Sequence, residues 1–128
     1  MDDIEASGRA LALHVAAGRA LEGDREGLFS ICGDEALEGP EARWEWSRRF
    51  RFVVSNTRDG DAALARAVDF LVNELGLSSS SDEREYTREV GALSRSGSHR
   101  VVFNHAQMTV HVVSSTECLP RFADTTMS

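Results

Sequence analysis

Trp44-Glu45-Trp46-Ser47-Arg48-Arg49-Phe50-Arg51-Phe52-Val53-Val54-Ser55 alternates at period two. Trp44, Trp46, Phe50, Phe52 and Val54 fall on one side, with Arg48 the one polar intruder, and Glu45, Ser47, Arg49 and Arg51 fall on the other. Such alternation marks a strand with one buried and one wet face. The stretch carries both tryptophans and two of the six phenylalanines. Rings of this size dominate core energetics, so the core is expected to be built against this strand.

Upstream of it, residues 4–21 read as a helix, with Ile4, Leu11 and Val15 on one stripe, no proline and many alanines. Gly8 and Gly18 continue the stripe without a side chain, and His14 lies beside it. From Glu22 the chain turns acidic and glycine-rich. Asp24 is expected to cap a short helix carrying Leu28, Phe29, Ile31 and Cys32, closed by Gly33, with a loop from Gly33 to Pro40.

Downstream, Asn56 to Gly60 is a turn signal, and Asp59 or Asp61 is expected to cap a second helix. Its apolar stripe is Leu64, Ala67, Val68, Leu71 and Leu75, with Gly76 as its stop. Ser78 to Asp82 reads as a polar linker. Glu83 to Leu93 reads as a strand with Tyr86, Val90 and Ala92 inward, followed by a turn from Ser94 to His99 around Gly97. Arg100–Asn104 and Gln107–Ser114 form the clearest hairpin. With His105 and Ala106 as its loop, Phe103 faces Met108 and Val101 faces Val110, on one face with Val112. Arg100, Val102, Asn104, Gln107, Thr109, His111 and Val113 take the other face. The sum is an α+β fold: an antiparallel sheet of about four strands, with the N-terminal and central helices packed on one face. Residues 1–128 form a single domain, with 1–3 and 120–128 frayed.

With 128 residues, one core can remove roughly two thirds of the unfolded chain's surface from water. A formal charge of −7 and a pI near 5.0 argue against a nucleic-acid binder, which needs a basic footprint, and against docking on an anionic membrane. All fourteen basic residues are arginine, the bias of a GC-rich genome. No apolar run approaches the ~20 residues of a transmembrane segment. The acidic start, Met1-Asp2-Asp3-Ile4-Glu5, has no basic region of a signal peptide. This leaves two readings: a cytoplasmic protein, or an exported one whose signal has been removed.

The residue types that carry chemistry do not assemble into a motif. Cys32 and Cys118 are far apart and belong to no CxxC pair, leaving open a disulfide or two unrelated thiols. In the hairpin register above, His111 lies on the wet face, His99 pairs with Val112 on the apolar face and His105 sits at the turn. With His14 elsewhere, no metal site follows. The serines lack a nucleophile frame, and Glu83, Glu85 and Glu89 read as the exposed side of one strand. Arg48, Arg49 and Arg51 form the one basic cluster, with Arg49 and Arg51 turned away from the aromatic face. They are expected to pair across strands with acids such as Glu85 and Glu89. No catalytic, cofactor-binding or metal residue is assigned, and no cofactor is expected.

The ending Val110-His111-Val112-Val113-Ser114-Ser115-Thr116-Glu117-Cys118-Leu119-Pro120 resembles the closing strand of small exported proteins and lipoproteins of actinobacteria. In that group a Ser/Thr-x-Cys step is followed by proline. An aromatic strand like Trp44-Glu45-Trp46 and a helix like Ala62–Leu75 running into a glycine turn extend the resemblance over residues 30 to 120. The chain departs from the group in lacking a lipobox cysteine and in having Leu77 after Gly76, where an aromatic is frequent. The resemblance implies a compartment and an architecture: a secreted or envelope-associated protein in which Cys32 and Cys118 form a disulfide, contributing about 4 kcal/mol through loop closure. The expected function is therefore a non-enzymatic binding domain whose partner is a protein or envelope component. The alternative is a cytoplasmic, acidic immunity-type inhibitor or chaperone-like partner of a basic protein.

Overall fold

The computed structural model describes residues 2–23, 28–31, 43–95, 97–116 and 119–120. The aromatic stretch is the long strand β3, Arg43–Val53, and the molecule is laid out from it. Before it come helix α1 (Asp2–Ala16) and the short strands β1 (Glu22–Gly23) and β2 (Leu28–Ile31). After it come helix α2 (Thr57–Asp69), β4 (Ser79–Glu83), β5 (Thr87–Leu93), β6 (Gly97–Asn104), β7 (Thr109–Thr116) and β8 (Leu119–Pro120). All pairings are antiparallel, and the order across the sheet is β1-β3-β7-β6-β5-β4. The sheet is thus six strands wide rather than about four. β2 prolongs β1 along one edge of β3, and β8 prolongs β7 along the other.

Two of the extra strands come from segments whose sequence hides them. Leu28–Ile31, expected in a short helix, pairs residue for residue with Trp44–Ser47; four apolar-leaning residues carry no period of their own, and β3 supplies the partner. The cap and stop expected there, Asp24 and Gly33, and the loop to Pro40 lie outside the described residues. Ser79–Glu83, expected in a linker, pairs with Arg88–Ala92 as the edge strand. All five of its residues are exposed, so it has no apolar face to announce it.

Both helices cover one face of the sheet, and the core lies between. From the strands it takes Trp46, Phe52, Val90, Ala92, Val101, Phe103, Val110 and Val112, with Val54 just past the end of β3. From the helices it takes Ile4, Leu11, Ala12, Val15, Ala63, Leu64, Ala67 and Leu71. Tyr86, expected inward, stands 56% exposed in the β4–β5 turn.

α1 ends at Ala16, five residues short of the expected stop. Ala17 and Gly18 both take positive φ, and Arg66 of α2 donates from Nε and Nη2 to the Val15 carbonyl at 3.0 and 2.7 Å. One guanidinium thereby satisfies a helix-end carbonyl and ties the helices together. α2 starts earlier than expected, at Thr57. Its cap is Asn56, whose Oδ1 accepts from the Asp59 N–H at 2.9 Å, so neither Asp59 nor Asp61 caps it. The helix loosens into a π turn over Phe70–Glu74 and stops at Gly76, whose φ of +67° favours glycine.

The β6–β7 hairpin has a four-residue loop, His105–Met108, instead of two, so Phe103 faces Val110 and Val101 faces Val112. The expected register is displaced by two residues, and since side chains alternate at period two, the face assignments of Val101, Phe103, Val110 and Val112 survive. Thr109, expected on the wet face, is buried at the strand's start. The turn expected from Ser94 to His99 is shorter, because β6 already begins at Gly97. At the end of β7, Thr116 Oγ1 accepts from the Trp46 N–H at 2.9 Å.

Candidate functional site

Three polar side chains form a row across the helix-covered face. Arg48, Ser114 and His99 are cross-strand neighbours on β3, β7 and β6, and α1 lies over them with a fitted partner for each. Glu5 Oε1 accepts from Arg48 Nη1 at 2.8 Å, and the Arg48 guanidinium stands 4.8 Å from the Phe50 ring centroid. Gly8 lies against Ser114, where a Cβ would come within 2.8 Å of the Ser114 Cβ. Ser7 Oγ is 3.2 Å from His99 Nε2, and Ser114 Oγ is 2.7 Å from His99 Nδ1. The odd arginine of the aromatic strand and the glycine that weakens the helical stripe therefore have one explanation: they fix where α1 docks.

His99 is 1% exposed, and burial holds its pKa below the ordinary 6.5. A neutral imidazole donates from one nitrogen and accepts at the other, so two serine hydroxyls satisfy it completely. A serine–histidine pair is also the start of nucleophilic chemistry, but in the triad logic a carboxylate stabilises the imidazolium that forms. Ser114 brings no charge. The row reads as a satisfied polar lock.

The second place is the sheet face that the helices leave open. Arg49 and Arg51 of β3, Arg100 and Val102 of β6 and His111 and Val113 of β7 point to it, with Glu22 and Glu89 at its sides. Arg51 Nη2 meets Glu22 Oε2 at 2.7 Å, and Arg100 Nη1 meets Glu89 Oε1 at 3.4 Å. The expected pairing of the β3 arginines with Glu85 and Glu89 does not form, because β7 and β6 stand between β3 and β5. Glu83 lies on β4 and bonds Arg88 at 3.3 Å, so the three glutamates do not share a strand. Glu22, Gly23, Arg49, Arg51 and His111 line a shallow cleft on this face. Burial first, then Arg49 and Arg51, hold the His111 pKa below its ordinary value.

Of the remaining histidines, His14 stacks on Phe70 with centroids 5.3 Å apart, near Asp69, and His105 meets Phe103 edge-on at the hairpin loop. Among the described residues no three His, Cys, Asp or Glu side chains gather as a metal site would need. Cys32 and Cys118 lie outside the described residues. Their described neighbours, Ile31 and Leu119, both face Trp44, from opposite edges of β3. No described helix is long and apolar enough to cross a membrane. No protein-family model, curated protein or solved structure matches the chain.

The sequence placed Arg49, Arg51, Val102, His111 and Val113 on wet faces correctly, yet it did not join them into one surface. The missing signal is strand order. Nothing local says that β7, the last long strand, inserts beside β3.

Proposed function

We propose that this chain is a non-enzymatic binding domain, exported or envelope-associated, that receives a polypeptide partner on the sheet face its helices leave open. The observation that carries the reading is the composition of that face. Half-buried Val113 lies between Arg49 and Arg100, and half-buried Val102 lies in the next row between His111 and Glu89, a mixture of apolar and guanidinium groups that suits protein recognition better than plain solvent contact. Export rests on the likeness to small actinobacterial exported proteins, and the partner is an envelope or extracellular protein.

The alternative, a cytoplasmic acidic partner of a basic protein, draws on the charge of −7, which would speed encounter with a cation-rich surface. A single experiment separates the two. Partners are captured from cell fractions with the wild-type chain, with the double variant Val102→Ser and Val113→Ser, and with Leu13→Ser on the exposed side of α1. The proposal expects one envelope or secreted protein to be retained by wild type and Leu13→Ser and lost by the double variant. A basic cytoplasmic protein retained equally by all three and released by salt would replace the proposal with the alternative.

A further inference from the structure

On the open face, the described acids fall in one of two neighbouring rows. One row runs Glu22, Arg51, His111, Val102, Glu89 and Asp82 across the sheet, with acids at both ends. The row beside it runs Arg49, Val113, Arg100 and Gly91 and contains no acid among the described residues. Arg49 and Arg100 are two strand spacings apart, about 10 Å. Arg100 reaches diagonally to Glu89 at 3.4 Å, an exposed pair of the kind that contributes little. Arg49 is exposed and has no carboxylate partner among the described residues.

We infer that the row Arg49–Val113–Arg100 is a docking strip for an acidic polypeptide segment, with two carboxylates engaging the arginines on either side of an apolar residue seated on Val113. The inference rests on the open face being the binding face and adds the chemistry of the partner. Guanidinium forks match carboxylates in shape and charge, and this face already holds two such pairs, Arg51 with Glu22 and Arg100 with Glu89. On an extended segment residues i, i+2 and i+4 share one face and span ~13 Å, so the flexible arms of two glutamates can meet arginines about 10 Å apart with an apolar residue between them. A lone phosphate needs donors that converge on one point, and Arg49 and Arg100 flank a valine instead. The chain's charge of −7 opposes an acidic partner at a distance. Screening confines that repulsion to about 8 Å at physiological salt, so the nearest arginines set the local sign.

His111 is a built-in reporter. Arg51 and Val102 face it across the strands, Arg49 lies diagonally from it, Glu22 bonds Arg51 beside it, and Thr109 Oγ1 is 3.4 Å from its Nε2. Its pKa is held down by burial and by Arg49 and Arg51. Carboxylates arriving at Arg49 offset the arginine contribution and move that pKa upward.

The test titrates the intact chain with a short peptide in which two glutamates four residues apart flank a central leucine, so that all three share one face of an extended chain. The same peptide with glutamines, and inorganic phosphate, serve as controls, and NMR reads the Val113 and Val102 methyls and the His111 ring. The glutamate peptide is expected to shift both valines and raise the His111 pKa. Arg49→Ala and Arg100→Ala are each expected to weaken it roughly tenfold, about the loss of one charge-assisted contact. Equal responses to the glutamine peptide or to phosphate, or undiminished binding by the alanine variants, would overturn the inference. If the captured partner depends on Val102 and Val113 while this peptide does not bind, only the present inference falls. If the partner ignores those valines, the broader reading falls with it.

Discussion

A buried histidine between two serines is a measurable commitment at the residue scale. His99 is kept neutral by burial, with its pKa below 6.5 when folded and about 6.5 when unfolded. The unfolded chain therefore takes up a proton that the folded chain refuses, and the sign follows from linkage. This site costs no stability above the unfolded pKa, and stability falls as pH drops through about 6.5 toward the folded pKa. His111 adds a slope of the same sign, from its smaller burial and its arginine neighbours. Urea midpoints between about pH 7.5 and 5.5 are expected to decline for wild type and to flatten in His99→Asn. A slope unchanged by that variant, with His111→Gln flattening it instead, would assign the effect to the open face. Gly8 belongs to the same lock: an alanine there must displace Ser114, and Ser114 holds one side of the imidazole.

At the scale of elements, what decides legibility is whether an element carries its own signal. β3 and the β6–β7 hairpin alternate apolar and polar residues over many positions, so their faces could be read directly, Arg48 included as the exception. Of the stripe expected from Leu64 to Leu75, Leu64, Ala67 and Leu71 are buried and Val68 and Leu75 are partly buried against the core. Its start was misread because two aspartates near the helix compete with Asn56 as caps, and only the geometry shows which oxygen meets an N–H. β2 and β4 are strands because a neighbour offers them a ladder, a nonlocal cause that propensity cannot report. Asn56→Ala is expected to cost about 1 kcal/mol, the worth of an N-cap, lowering the melting temperature by roughly 3–5 °C for a domain of this size. Asp59→Asn and Asp61→Asn, which leave the Asn56 cap bond intact, should each change it less. A larger loss at Asp61 than at Asn56 would instead point to its bond with Arg88 at 2.7 Å as the more important anchor of α2.

The whole molecule turns one polar-locked, helix-covered face inward and one arginine-bearing face outward. The candidate surface was half legible: alternation set each side chain's face, but only strand order makes neighbours of Arg49, Val113 and Arg100. Strand order also governs the cysteine question. Ile31 and Leu119 flank Trp44 two strand spacings apart, about 10 Å, so the chain neighbours of Cys32 and Cys118 meet at the same end of β3. If the proposed export holds, an intact mass after alkylation is expected to show both cysteines protected until reductant is added. Immediate labelling of both would instead favour the reducing cytoplasm.

The hairpin joining β6 and β7 has one more consequence. Sliding it by two residues leaves the same valines and phenylalanine facing the core, so hydrophobic matching alone does not distinguish the native pairing from the slipped one. What separates them is the loop: Asn104 Oδ1 accepts from the N–H groups of Ala106 and Gln107, both at 3.0 Å, and Met108 takes a φ of 55°. The side chain of Asn104, by satisfying two loop N–H groups, thus holds a choice of pairing that the core-facing residues leave open.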